Sequence, residues 1–134
     1  MTRALLFSDN TPRYAFGFVH VRDCARVHIE ALDEIKVPNE KIPDFFVAMG
    51  ATEGGRSAVD LWNEVGDMIE REFPEAIEKG VFRVGRSNMP QNMPFRVDSG
   101  VTEDILFGGE RISGLGESVR EVAGWYLGLL EGEV

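Results

Sequence analysis

The stretch FGFVHVRDC at positions 16–24, followed at once by ARVHIEALDEI, limits the folds open to this chain. Residues 16–21 alternate with a period of two and are apolar on both sides, which predicts a strand covered on both faces. Asp23 is predicted to be the N-cap of the next helix, because its carboxylate can accept hydrogen bonds from free backbone NH groups. A strand joined so tightly to a helix favours an α/β protein.

The helix predicted after Asp23 has two chemically different sides. At helical spacing the apolar side comprises Ala25, Ile29, Leu32 and Ile35, and the charged side comprises Arg26, Glu30, Asp33 and Glu34. We expect the apolar side to pack inward. His28 falls near the middle of that side, so it is predicted to be a core histidine with one polar partner rather than a catalytic base.

The middle of the chain repeats this order of elements. The run FFVAMG at 45–50 predicts a second buried strand, and a helix with an apolar stripe begins near Ser57 and ends near Pro74. The run VFRV at 81–84 predicts a further short strand. Strand, helix, strand and helix in succession predict the α/β class.

Two helices are expected in the last third of the chain. A short helix follows Asp98 or Ser99 and ends at Gly108-Gly109, and a longer helix begins near Leu115. A chain of 134 residues has room for one core. We therefore divide it into an irregular N-terminal segment, 1–15, and a single α/β lobe, 16–134.

Charge and cysteine content exclude several kinds of function. The 14 basic and 23 acidic residues give a formal charge of −9, so a phosphate backbone is repelled and nucleic acid is not an expected partner. Cys24 is the only cysteine, which excludes an internal disulfide and fits a reducing cytoplasm. Two histidines with one cysteine form no recognisable metal site, and the first residues predict neither a signal peptide nor a membrane span.

Five segments taken in order resemble the C-terminal portion of a known enzyme family. They are FVHVRDCARVHIEAL, FFVAMG, the helix ending in EREFP, VDSGVTEDILFGG and LGESVREVAGWYLGLLE. The family is the extended short-chain dehydrogenase/reductases of the NAD-dependent epimerase/dehydratase superfamily, and in particular its dihydroflavonol-reductase-like and methylglyoxal-reductase-like ketoreductases. The resemblance implies an α/β substrate-binding lobe that lacks the N-terminal Rossmann unit.

The family's activity is reduction of a carbonyl by hydride transfer from NADPH, and the residues that perform it are missing from this chain. The family uses a Gly-rich turn for the cofactor, and a Tyr with a Lys four residues later to protonate the carbonyl oxygen. Here Tyr14 and Tyr126 are followed, four residues later, by Phe18 and Leu130. The GLGESV motif has Val119 in place of the third glycine. NADP is thus implied for the full-length family, and no cofactor is expected for this chain alone.

Candidate substrate-binding residues lie in two loops. In the resembling enzymes the C-terminal lobe supplies the wall of the substrate pocket. Met89, Met93 and Phe95, in the loop 86–97, offer adaptable apolar surface for a carbonyl compound. An ordinary surface loop explains these residues equally well. Arg56, in ATEGGRS, is a candidate anion contact at a helix start, although a tight turn that needs glycine also explains that segment.

Structural roles are predicted for the residues at the start of the first helix. Arg22 is expected to be a surface partner of Asp23 or of a neighbouring carboxylate. Cys24 is expected to pack rather than react, since no base is fixed beside it in the sequence.

Two functions from different classes remain open. The first is the C-terminal substrate-binding part of an NADP-dependent aldehyde or ketone reductase that is not catalytic alone. Its expected partners are a small carbonyl substrate and either a missing N-terminal Rossmann portion or further copies of the chain. The second is a stand-alone, non-catalytic module that binds a ligand or a partner through exposed apolar faces.

Overall fold

The computed structural model describes residues 18–50, 58–84 and 97–132. Within these residues lie five α-helices and one 3₁₀ turn. In chain order they are α1 (Val21–Glu30), the 3₁₀ turn (Asn39–Lys41), α2 (Ala58–Glu72), α3 (Pro74–Glu78), α4 (Gly100–Leu106) and α5 (Leu115–Glu131).

The described residues contain no β-strand. Residues 18–20, 45–50 and 81–84, where strands are predicted from the sequence, are not helical, and Val21 is already the first residue of α1. A single backbone hydrogen bond, from Gly50 N to Phe18 O at 2.7 Å, joins the first two of these segments. The α/β class remains a prediction from the sequence pattern.

The chain divides into two compact units, each built from separate stretches of sequence. The α1/α4 unit includes the described residues 18–50 and 97–114, and the α2/α5 unit includes 58–84 and 115–132. The single lobe over 16–134 stays a prediction, and each unit is described by itself.

The core of the α2/α5 unit forms where the apolar stripes of its two long helices meet. Its buried residues are Val65, Met68 and Ile69 of α2, Ala76 of α3, Phe82, and Leu115, Val119 and Ala123 of α5. Phe82 is only 1% exposed, and its ring packs edge-on to Phe73 at 6.0 Å between centroids and against Tyr126 at 6.3 Å. Pro74 ends α2 and occupies the first position of α3, where its missing NH costs nothing. The predicted helices are therefore confirmed here.

An ion pair reinforces the packing of α2 on α5. The Arg120 guanidinium donates to both carboxylate oxygens of Glu72, with Nε–Oε2 at 2.6 Å and Nη2–Oε1 at 3.0 Å. This two-pronged geometry is the strongest form of a carboxylate–arginine contact. The hydrogen bond from Arg120 holds the pKa of Glu72 below its usual range; desolvation opposes this effect, and a hydrogen bond from Arg71 adds to it.

The α1/α4 unit has its own apolar core. It consists of Val27, Val37, Leu106, Phe107 and Ile112, with Val19, Ala31, Phe46, Ala48 and Ile105 packed around them. The chain leaves α4 through Gly108 and Gly109, whose φ angles of 63° and 89° require glycine. This end of the helix is as predicted.

The start of α1 differs from the sequence prediction. The helix begins at Val21, and its N-cap is His20, whose Nδ1 accepts a hydrogen bond from Arg22 N at 3.3 Å. The prediction that Asp23 caps the helix is therefore wrong. Asp23 is the third helical residue, and its carboxylate instead accepts from Ser113 N at 2.9 Å.

The two sides of α1 are also reversed from expectation. The residues of the predicted apolar side are exposed: Ala25, Ile29 (70%), Leu32 (82%) and Ile35 (92%). Arg26, from the predicted charged side, instead packs against the rest of the α1/α4 unit. Its guanidinium lies 4.1 Å from the centre of the Phe107 ring and pairs with Glu110 at 2.9 Å. Val27, beside Arg26 on that inward side, is the buried apolar residue of the helix.

Candidate functional site

Each of the two segments that carry the predicted substrate-binding residues has one of its sequence ends in the α1/α4 unit. Met89, Met93, Phe95 and Arg56 themselves lie outside the described residues. The segment that contains Arg56 follows Gly50 in the sequence, and the loop that contains the other three precedes residue 97. The described residues next to these two segments, up to Gly50 and from residue 97 onward, show how this end of each segment is held.

A buried hydrogen bond ties the two ends together. Ser99 Oγ donates to the main-chain oxygen of Met49 at 2.9 Å. Both residues are buried, with 8% and 6% of their surfaces exposed. A hydrogen bond shielded in this way from water resists local opening. The described residues that border the two segments are thus neighbours, although Met49 and Ser99 are 50 residues apart in sequence.

Gly50 lets three backbone segments approach one another closely. Its NH donates to Phe18 O at 2.7 Å. A Cβ atom at this position would lie 2.1 Å from Cε2 of Phe18 and 2.7 Å from the backbone oxygen of Ser113. The close packing, rather than a positive φ, explains the need for glycine here.

Two further side chains hold the surrounding backbone in place. Asp23 Oδ2 accepts from Ser113 N at 2.9 Å, and Thr102 Oγ1 accepts from Val47 N at 2.8 Å. We call the cluster of Phe18, Asp23, Gly50, Ser99 and Ser113 the Gly50 junction. The side chains of Asp23 and Ser99 bind backbone groups, so the junction holds separate stretches of backbone together.

The residues assigned structural roles from the sequence lie on α1. Arg22 is exposed. The prediction that His28 is a core residue is wrong, because the side chain is exposed on the outer side of the helix. Its Nδ1 lies 2.7 Å from the Cys24 carbonyl oxygen, and the Cys24 sulfur is 4.0 Å from the same nitrogen. These contacts are local to the helix and assemble no catalytic group.

Val119 of the GLGESV motif and Tyr126 both belong to the α2/α5 unit. Val119, at the position of the third glycine of a binding fingerprint, is 1% exposed within the α2/α5 core. The preceding residues 110–114 form no strand. Tyr126 packs against Phe82, with Leu130 four residues later in place of lysine. No group of three or more potential metal ligands occurs among the described residues.

Sequence reasoning missed the pairing that builds the Gly50 junction. Ser99 is interpreted from the sequence as a helix cap and Gly50 as the end of a strand. The structure indeed places Ser99 at the N-cap of α4, but its hydroxyl binds Met49 rather than the helix. The only signal available was that each residue borders a candidate loop.

No protein-family model matches the chain, and neither a curated protein nor a solved structure shows significant similarity to it. The resemblance to the reductases accordingly rests on the sequence segments alone.

Length and apolarity also bear on membrane insertion. No helix within the described ranges combines the length and the apolar character needed to cross a bilayer.

Proposed function

We propose that the chain is the C-terminal, substrate-binding part of an NADP-dependent aldehyde or ketone reductase of the cytoplasm. The catalytic and cofactor-binding residues would lie outside these 134 residues. The observation that carries the proposal is the Gly50 junction. Met49 and Ser99, which lie in sequence close to the two segments assigned to substrate binding, are hydrogen-bonded to each other, and a pocket wall assembled from distant stretches of sequence needs an anchor of this kind.

The steps of the reaction would be divided between this chain and the catalytic portion. The carbonyl carbon would receive a hydride from NADPH and its oxygen a proton, and this chain would contribute neither. Its role would be to hold the apolar body of the substrate against Met89, Met93 and Phe95, and an anionic group, where the substrate has one, near Arg56. Orientation of this kind accelerates a reaction by holding the reactants in a productive geometry.

Binding of a carbonyl probe tests the proposal directly. We expect the chain to bind benzaldehyde or 2-octanone, detected by ligand-observed NMR, and Phe95→Ala to weaken binding about tenfold through lost apolar contact. Phe45→Ala is the matched control, because Phe45 is 73% exposed and lies in a different segment. Unchanged affinity in Phe95→Ala, or equal loss in both variants, would contradict the assignment.

A second experiment tests whether the catalytic portion belongs to the same polypeptide. An antibody raised against residues 57–73 would detect the native protein in its source. A mass well above 14.9 kDa, with NADPH-dependent carbonyl reduction in the purified material, is the expected result. A native mass of 14.9 kDa without such activity would count against the reductase.

A stand-alone, non-catalytic binding module is the second candidate. Large apolar side chains on α1 and the following segments are exposed, which is unusual for a surface without a partner. If the chain is such a module, its native mass should be 14.9 kDa, and it should bind a partner but neither benzaldehyde nor 2-octanone. A monomer that also fails to bind a hydrophobic dye would argue against it.

A further inference from the structure

The orientation of α1 is the feature that the proposed function leaves unexplained. Val21, Ala25, His28, Ile29 and Leu32 follow one another at helical spacing, so they share one side of the helix and of the turn that continues it. All five are exposed, with Val21 at 74%, Ile29 at 70% and Leu32 at 82%. We call this side the α1 outer face.

The opposite side of α1 is already occupied by polar contacts. Asp23 binds Ser113 N, Arg26 covers the Phe107 ring, and Glu30 pairs with Lys36. The contacts of Asp23 with Ser113 and of Arg26 with Phe107 fix the rotation of the helix about its axis. The α1 outer face therefore cannot turn inward without breaking them, and it stays available to another molecule.

We propose that the α1 outer face binds a second copy of this chain, with the two α1 helices antiparallel about a twofold axis. A twofold interface uses the same patch on both copies. Antiparallel packing also opposes the two helix dipoles favourably. The α1 outer face of one copy is thus covered by the α1 outer face of the other.

The charges at the two ends of the face fit this arrangement. Arg22 stands beside Val21 at the N-terminal end, and Asp33 and Glu34 follow Leu32 at the C-terminal end. Asp33 is fixed there as a carboxylate that accepts from Ile35 N at 2.9 Å. Antiparallel packing sets the basic end of one copy against the acidic end of the other, whereas parallel packing would juxtapose like charges.

The size of the face sets the strength of the contact. Burial of an exposed aliphatic side chain removes roughly 100 Å² from water. The α1 outer face therefore supplies about half of the roughly 800 Å² per partner found in a standard interface. We expect a weak, reversible dimer whose population rises with protein concentration.

Sedimentation equilibrium on the whole chain tests the association. The mass should rise from 14.9 kDa at low concentration toward twice that value at high concentration. Ile29→Lys should reduce association at least tenfold without changing the circular dichroism spectrum. Val101→Lys is the matched control, since Val101 is an exposed β-branched residue of α4 in the same unit, and it should associate like the wild type. A wild-type chain that stays monomeric, or an Ile29→Lys variant that still dimerises, overturns the proposal.

Cysteine cross-linking tests the antiparallel direction. In a Cys24→Ser background, Ala25→Cys lies near the middle of the face and should form a disulfide with its own copy under mild oxidation. Val21→Cys should not, because the antiparallel arrangement separates the two Val21 positions by about 16 Å along the helix, beyond the reach of a disulfide. A mixture of Val21→Cys and Leu32→Cys chains should cross-link. Efficient cross-linking of Val21→Cys alone would overturn the antiparallel pairing.

The charge complementarity has its own test. Arg22→Asp and Asp33→Arg should each weaken association, and the combined variant should restore it, because every contact between the two ends then reverses sign. Asp33→Arg also loses the hydrogen bond to Ile35, but the combined variant shares that loss, so recovery isolates the charge effect. Failure to recover would overturn this part of the inference. None of these experiments uses a carbonyl substrate or a cofactor, so their outcome is independent of the proposed function.

Discussion

Replacement of Gly50 by alanine is the most direct test of the junction that anchors the two candidate substrate segments. The added Cβ would lie 2.1 Å from the Phe18 ring and 2.7 Å from the Ser113 carbonyl oxygen. The ring can shift, but the carbonyl belongs to the backbone and is held by the neighbouring hydrogen bond to Asp23. Relief of both steric overlaps therefore requires the backbone to move, which destabilises the fold.

Two opposing effects determine how much Gly50→Ala changes the free energy of unfolding. Overpacking of one methyl group costs about 1–3 kcal/mol. Alanine also restricts the unfolded chain more than glycine does, which returns about 0.4–1 kcal/mol because Gly50 does not adopt a positive φ. The net destabilisation is about 1–2 kcal/mol, which lowers the folded-to-unfolded ratio roughly 5- to 30-fold.

Urea unfolding followed by circular dichroism measures this change, and Gly114→Ala is the matched control. Gly114 belongs to the same unit, and a Cβ there would meet no heavy atom within 4 Å. Gly114 directly precedes α5, where alanine is a poorer cap than glycine, so we expect a loss of at most about 0.5–1 kcal/mol, smaller than that of Gly50→Ala. If Gly50→Ala were as stable as the wild type, or if both variants lost stability equally, the close approach at Gly50 would not stabilise the junction.

Three further variants test other contacts. Asp23→Ala should lower the free energy of unfolding in urea by about 1.5–3 kcal/mol, because Ser113 N loses a charged acceptor. Asp23→Asn should lower it less, and equal losses in the two variants would contradict the hydrogen bond. The pKa of Glu72 is lowered by Arg120, so its stabilising effect is complete above the ordinary value of about 4.3 and disappears as the pH falls through the lower folded value. The Tm difference between the wild type and Glu72→Gln should therefore shrink in acid, and a constant difference would refute this account. Gly124→Ala, inside α5 with open space around it, should raise stability by about 0.5–1 kcal/mol in the same urea assay, and a loss would indicate a contact not accounted for.

The long helices could be predicted from the sequence because their own packing sets their pattern. Val65 and Ile69 of α2 and Val119 of α5 recur at helical spacing and are buried, although Leu130 at the end of α5 is 58% exposed. The end of α4 could be predicted as well, because glycine is required at the positive φ of Gly108. In each case a local rule and the tertiary packing agree.

The orientation of α1 could not be predicted, because an apolar stripe indicates that a face will be covered but not by which molecule. Arg26 fills the inward position with its planar guanidinium over Phe107, which leaves Ile29 and Leu32 outside. Strand patterns have a similar limit, since a period of two becomes a sheet only where a neighbouring strand completes the hydrogen bonds. The Gly50 junction depends on a pairing between Met49 and Ser99, and no local rule relates residues so far apart in sequence.

The tie between Asp23 and Ser113 also determines when the molecule can be completed during its synthesis. The two residues are 90 positions apart, and the core around Val27 includes Leu106 and Ile112 from the same late stretch. At about 5–20 residues per second, a ribosome needs roughly 5–18 seconds to add that stretch. Throughout this interval α1 is exposed on the nascent chain without Leu106, Phe107 and Ile112, the late members of its core. A chain stalled before residue 106 should therefore be the form most readily captured by chaperones and cleaved by proteases.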